Sequence, residues 1–195
     1  MNNIALFGTS ADPPTAGHQK ILKWLSQNFD LVAVWAADNP FKQHQTPLAH
    51  RETMLKLLIA EIQRQNIGIY PELSSRRTLE TVQRAKEYWH QGEFTLVIGS
   101  DLTRGGAGNH NSGLPLLKWY RIEDLLRQVK LLVIPRPGYP IAEENLEELR
   151  RLGGQIAIAS LTGSDVSSTA YRQNGDTEVL TPPVEAYIHR ERLYA

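Results

Sequence analysis

The stretch that most constrains this chain is residues 4–18, IALFGTSADPPTAGH, where an apolar strand ends in a polar loop that feeds a helix. Ile4 to Phe7 reads as a buried strand, Gly8 as the opening of a tight loop, and Thr15-Ala16-Gly17-His18 as a helix start. A helix start presents unpaired N–H groups and a positive dipole end, which together can hold phosphate. Gly8 is expected to let backbone approach a ligand closely. Thr15 adds a hydroxyl, and His18 an imidazole that can become a cation beside a phosphate. No Gly-Lys-Ser/Thr follows, so this is not a P-loop, and the three spaced glycines of a dinucleotide fingerprint are missing. Taken alone, the stretch also fits an ordinary strand–helix turn, with Gly8 for the bend and Pro13 and Pro14 as stiffeners.

Along the chain, short apolar runs alternate with longer amphipathic ones, the pattern of a parallel sheet covered by helices. Strands are predicted at 3–7, 31–36, 67–70, 95–98, 131–134 and 155–158. Helices are predicted at 16–27, 49–64, 79–90, 120–128, 142–152 and 184–191. In the second helix Met54, Leu55, Leu57, Leu58 and Ile62 form one apolar stripe. The 195 residues are expected to make a single α/β domain, doubly wound with helices on both faces. Within it, the glycine-rich 104–113, RGGAGNHNSG, reads as a flexible insertion and candidate lid.

Bulk properties exclude several classes. Lys plus Arg and Asp plus Glu balance at 21 each, so no overall field calls for nucleic acid or an anionic membrane as partner. Without cysteine there are no disulfides, thiolate metal sites or thiol nucleophiles. No apolar run approaches the ~20 residues needed to span a bilayer, and the chain opens in a strand rather than a leader segment. A cytoplasmic location is expected, and a homo-oligomer is compatible with the sequence.

In an open parallel sheet, ligands sit beyond the carboxyl ends of the strands. The loops there carry Asn39, Lys42, Arg76, Asp101, Arg104, Arg136, Ser167, Ser168 and Thr169, an edge of basic and hydroxyl groups suited to polyphosphate. Val166-Ser167-Ser168-Thr169-Ala170-Tyr171-Arg172 forms a second helix start. Capping explains one or two of its hydroxyls. Three in a row with Arg172 on the first turn suit triphosphate oxygens, the guanidinium gripping two of them.

The Thr-x-Gly-His motif paired with the late Ser-Ser-Thr-x-x-Arg motif resembles the nucleotidyltransferase superfamily of adenylyl- and cytidylyltransferases, and within it the bacterial nicotinate-nucleotide adenylyltransferases. The similarity runs nearly end to end, through Asn39-Pro40-Phe41-Lys42, Arg77-Thr78-Leu79-Glu80-Thr81-Val82, Ile98-Gly99-Ser100-Asp101, Trp119-Tyr120 and Pro135-Arg136-Pro137-Gly138-Tyr139. Thr9, Ser10 and Ala11 depart from the Gly-Thr-Phe usual after the first glycine, and Thr15 is more familiar from the pantetheine-phosphate branch.

The resemblance implies a Rossmann-like fold that transfers the adenylyl group of ATP to nicotinate mononucleotide, or to nicotinamide mononucleotide, with release of pyrophosphate. His18, Thr15 and Arg172 would be catalytic. Gly8, Thr9, Ser10, Gly17, Gly99, Asp101, Ser168 and Thr169 would serve ATP, with Asp101 on the ribose. Asn39, Lys42, Thr78, Trp119, Tyr120 and Arg136 would serve the mononucleotide, with Trp119 stacked on the pyridine ring. Mg²⁺ would be carried mainly by the ATP phosphates, with no protein ligand. The alternatives are a pantetheine-phosphate adenylyltransferase, a cytidylyltransferase, or a non-catalytic nucleotide-binding relative. Each of these requires the two helix starts to lie side by side.

Overall fold

The structure is a computed structural model that describes residues 2–38, 45–103, 114–164 and 166–194. Six strands form one parallel sheet: β1 (Asn2–Thr9), β2 (Leu31–Ala36), β3 (Ile67–Ile69), β4 (Gly92–Gly99), β5 (Lys130–Ile134) and β6 (Gln155–Ile158). Their spatial order is β3-β2-β1-β4-β5-β6. Helices α1 (Ala16–Asn28), α2 (Leu48–Ala60), α3 (Thr78–Tyr88), α4 (Ile122–Leu126), α5 (Glu143–Arg151), α6 (Ser168–Asn174) and α7 (Pro182–Glu191) cover it.

Strand side chains alternate between faces, and each set finds its own helices. Ala5, Phe7, Val32, Val34, Val97 and Leu132 share a core with Leu22 and Leu25 of α1, Leu58 of α2 and Ile188 of α7. Ile4, Leu6, Ala33, Trp35, Leu96 and Val133 face the other way, onto Leu79 and Val82 of α3, Leu125 of α4 and Leu149 of α5. Burial on both faces is why the central strands read as unbroken apolar runs. The doubly wound reading therefore holds.

Several boundaries move, and three of the shifts have a local cause. β1 continues through Gly8 to Thr9, because Gly8 and Thr9 pair with Trp35 and Ala36 of β2. The predicted long second helix stops at Ala60; Gln63 adopts a left-handed φ of 53°, and the Asn66 side chain pins the turn to the carbonyls of Ser26 and Phe29. The predicted helix at 120–128 shortens to α4, since Arg121 at its N-cap has φ 50° and Trp119-Tyr120 stay in the preceding turn. The expected insertion at 104–113 lies outside the described residues.

Candidate active site

Because every strand runs the same way, the loops after all six gather at one edge. The winding reverses between β1 and β4, whose next elements leave to opposite faces, and this opens a crevice at the centre of that edge. His18 of α1 stands beside it. The Thr15 N–H donates to His18 Nδ1 at 3.1 Å, and the Thr15 hydroxyl lies 3.0 Å from the same nitrogen. This is a capping box in which His18 takes the place usual for Glu or Gln. With Nδ1 accepting, the ring proton belongs on Nε2, which faces the Thr9 hydroxyl at 3.1 Å. Burial, and then the Arg136 guanidinium, holds the imidazole down to about 4. In the free protein, with no phosphate beside it, His18 is therefore a neutral ring at neutral pH with an aimed N–H donor.

Thr15 is fully buried and orients the imidazole from its Nδ1 side. At Gly8 a Cβ would stand 2.5 Å from the Trp35 indole, so the missing side chain leaves room for that packing. Gly17 likewise receives Val166, whose Cγ2 lies 3.1 Å from where a Cβ would be.

That Gly17–Val166 contact belongs to a larger seam between the two distant segments. Ser168 Oγ donates to the Pro13 carbonyl at 2.7 Å, although 155 positions separate them. The Arg172 guanidinium donates to the Asp12 carbonyl and reaches the Thr169 hydroxyl at 3.4 Å. The Lys20 ammonium donates to the Thr162 carbonyl at 3.1 Å. Ser167 accepts from the Ala170 N–H, as the N-cap of α6. Of the three hydroxyls, then, one caps, one latches the loop and one neighbours Arg172.

Across the crevice, Arg136 follows β5 and pairs with Asp101 at 3.1 Å. Ser100 knits the two loops, accepting from the Arg136 N–H at 3.0 Å and donating to the Tyr139 carbonyl at 2.9 Å. Gly99 makes this pairing possible, since a Cβ there would sit 2.3 Å from Asp101 Oδ1. Asp101, expected on the ribose, is paired with Arg136 in the free protein. Arg136, assigned from sequence to the mononucleotide, also borders His18.

Thr78 opens α3, and Arg77 just before it lies 4.2 Å over the exposed Tyr120 ring. Trp119 is partly buried against the core on the α3 side of the sheet. These residues adjoin the Asp101 turn, because the turn at Ser100–Thr103 packs on the one at Pro115–Lys118. Asn39 and Lys42 lie outside the described residues.

Two groups escaped the sequence reading. Arg51 of α2 is 1% exposed and donates to the carbonyls of Thr46, Ser10 and Ala37 at 2.9, 2.9 and 2.8 Å, tying the loops after β1 and β2 together. Its signal was a charge on the apolar stripe of Met54, Leu55 and Leu58, a position charged residues take only when fully partnered. Tyr194 donates to Asp12 Oδ1 at 2.6 Å; no sequence pattern points to it.

Comparison with known proteins agrees with this arrangement. Residues 6–174 match the cytidylyltransferase-like family. A Synechocystis protein named probable nicotinate-nucleotide adenylyltransferase is 42% identical over 98% of both chains. The Bacillus subtilis nicotinate-nucleotide adenylyltransferase is 26% identical over 100% of this chain and 99% of its own. In three dimensions the Plasmodium falciparum nicotinic acid mononucleotide adenylyltransferase complexed with NaAD superposes with a TM-score of 0.82 at 20% identity, covering 100% of this chain and 98% of that one. This chain therefore belongs to the cytidylyltransferase-like family and, within it, to the nicotinate-nucleotide adenylyltransferases.

Proposed function

We propose that this protein joins the adenylyl group of ATP to nicotinate mononucleotide and releases pyrophosphate. The observation that carries the reading is the seam: the loop that positions His18 and the helix that bears Arg172 form one hydrogen-bonded unit, with Arg136 near enough for its charge to lower the imidazole. Three nitrogen-rich groups from far-apart positions suit a polyanion better than any uncharged ligand.

In the reaction, a phosphate oxygen of the mononucleotide attacks the α-phosphorus of Mg·ATP. A new O–P bond forms there, and the bond to the bridging oxygen of the β-phosphate breaks. The attacking phosphate is ionised at neutral pH, so no general base is needed. Catalysis is then positioning and stabilisation of crowded negative charge. An α-phosphate oxygen would displace the Thr9 hydroxyl from His18 Nε2–H, while the Thr15 clamp on Nδ1 keeps the ring in orientation. Arg172, with Thr169 beside it, would hold the β- and γ-phosphates and the departing pyrophosphate.

The Asp101–Arg136 pair would part as nucleotide enters, the carboxylate turning to the ribose and the guanidinium to phosphate. Thr78, Trp119 and Tyr120 would receive the pyridine ring and its carboxylate, with Asn39 and Lys42 on the mononucleotide phosphate side. Among the described residues no cluster of three or more acidic or histidine side chains is arranged to cage a metal. Mg²⁺ would arrive on ATP with its water shell.

The test is pyrophosphate release from Mg·ATP with nicotinate mononucleotide, nicotinamide mononucleotide and pantetheine phosphate in parallel. Release favouring nicotinate mononucleotide is expected. Release with pantetheine phosphate alone, or ATP binding without release for any acceptor, refutes the proposal.

A further inference from the structure

We infer that Tyr194 is a positioning residue for adenylyl transfer, holding the Asp12–Pro13 corner of the nucleotide loop through its hydrogen bond to the Asp12 carboxylate. The inference rests on the function proposed above and concerns a residue 182 positions from its partner.

Asp12 is 4% exposed and is the place where three parts of the chain meet. Its Oδ1 accepts from the Tyr194 hydroxyl at 2.6 Å, its Oδ2 faces the Thr46 N–H at 3.4 Å, and its carbonyl accepts from Arg172. The next carbonyl, of Pro13, accepts from Ser168. Thr15 and His18 follow directly, so the path of this corner sets where α1 begins and where the imidazole points. Thr46 also lends its carbonyl to buried Arg51, which holds Ser10 in the same loop. Asp12 is thus linked through both loops to the buried arginine, and through its carbonyl to Arg172.

The tail is built to deliver the phenol. After α7 the chain adopts left-handed φ values at Arg192 (52°) and Tyr194 (63°), a region non-glycine residues enter only when their surroundings hold them there. The Tyr194 ring stands edge-on to Tyr171 at 5.7 Å and 89°, and Tyr171 immediately precedes Arg172 on α6. Burial, then the Asp12 carboxylate, raises the phenol above its ordinary range, so it stays a protonated donor. Loss of the hydroxyl would release the corner and leave the rings in place. That predicts a defect in alignment rather than in binding.

The experiment is steady-state pyrophosphate release by the full chain carrying Tyr194→Phe, with Mg·ATP and nicotinate mononucleotide. The kcat is expected to fall about tenfold, within the range a misplaced reacting group costs, with KM for ATP within about twofold and melting well above the assay temperature. If the phenol acts through Asp12, Tyr194→Phe combined with Asp12→Asn is no slower than the slower single variant. Tyr187→Phe, which removes another phenol on α7 that bonds His50 Nδ1 at 2.8 Å, is expected to leave kcat unchanged.

Wild-type kcat in Tyr194→Phe, additive losses in the double variant, or an equal loss in Tyr187→Phe would overturn the inference. Should Tyr194→Phe not fold, Asp12→Ala alone, which removes the acceptor of the Tyr194 hydroxyl, must show the same kcat-selective loss or the inference fails. A wild-type protein that releases no pyrophosphate with any mononucleotide defeats the proposed function, and this inference with it.

Discussion

Acidification should destabilise this protein through His18 in a way that can be isolated. The imidazole is held near 4 in the folded chain and returns to about 6.5 when the chain unfolds. Between those values the unfolded state binds a proton that the folded state refuses, so stability falls as pH drops from 6.5 toward 4. Each pH unit inside the window costs up to about 1.4 kcal/mol. From pH 7 to pH 5 the His18 share comes to about 2 kcal/mol. His18 is only half-buried, which makes that figure an upper bound. The assay is urea unfolding of the wild type and His18→Gln at both pH values. All other titrating groups appear in both proteins and cancel in the difference, provided the substitution leaves them in place. The variant is expected to lose less stability on acidification, by up to about 2 kcal/mol. Equal losses in both would show that His18 titrates normally and is not a pre-formed neutral donor. Saturating Mg·ATP should shrink the window, since phosphate beside the ring favours the imidazolium.

Other expectations follow from single contacts. His18→Ala should lower kcat by ~10²–10³, the cost of losing one transition-state donor, with urea unfolding at pH 7 still cooperative; near-normal turnover would remove the imidazole from the chemistry. Gly8→Ala forces a Cβ into the Trp35 indole at 2.5 Å, so a loss of ~1–3 kcal/mol in urea unfolding is expected. An unchanged midpoint would show that Trp35 has room to move. Trp119→Ala should raise KM for the mononucleotide and leave KM for ATP little changed; equal damage to both constants would make it a core residue only.

What was legible in the sequence was whatever is local or periodic. The runs at 31–36 and 155–158 end where turn residues end them, and those two strands match residue for residue. The two-faced core follows from alternation, which needs no knowledge of the partner helices. At the glycines the limit of a sequence is physical: a glycine shows that space is required but not who fills it. At Gly8 the occupant is Trp35, and at Gly99 it is the Asp101–Arg136 pair. The state of His18 was illegible because it depends on burial and on Arg136, more than 100 positions away. Arg51 was within reach, being a charge on an apolar stripe, and only its three carbonyl partners needed coordinates. Tyr194 was not within reach, because a lone tyrosine near a chain end has no pattern to betray it.

The imidazole is neutral first because burial disfavours its charge and second because of Arg136, and this fits a division of labour at the crevice. Arg136 and Arg172 supply permanent positive charge at any physiological pH. A third fixed cation would repel both before substrate arrives, and Arg136 already depresses His18 for that reason. A neutral ring avoids this repulsion and still offers Nε2–H, fixed in direction by the Thr15 N–H on Nδ1. The Thr9 hydroxyl gives that donor a resting partner at 3.1 Å, so the buried N–H is not left unsatisfied in the free protein. When phosphate displaces Thr9, the donor meets a full negative charge and the ring can take up a proton. Its hydrogen bond then strengthens as charge gathers on the α-phosphate. A donor weakly held beforehand and strongly held in the transition state meets the requirement for lowering a barrier, because the gain appears only as the bond is made.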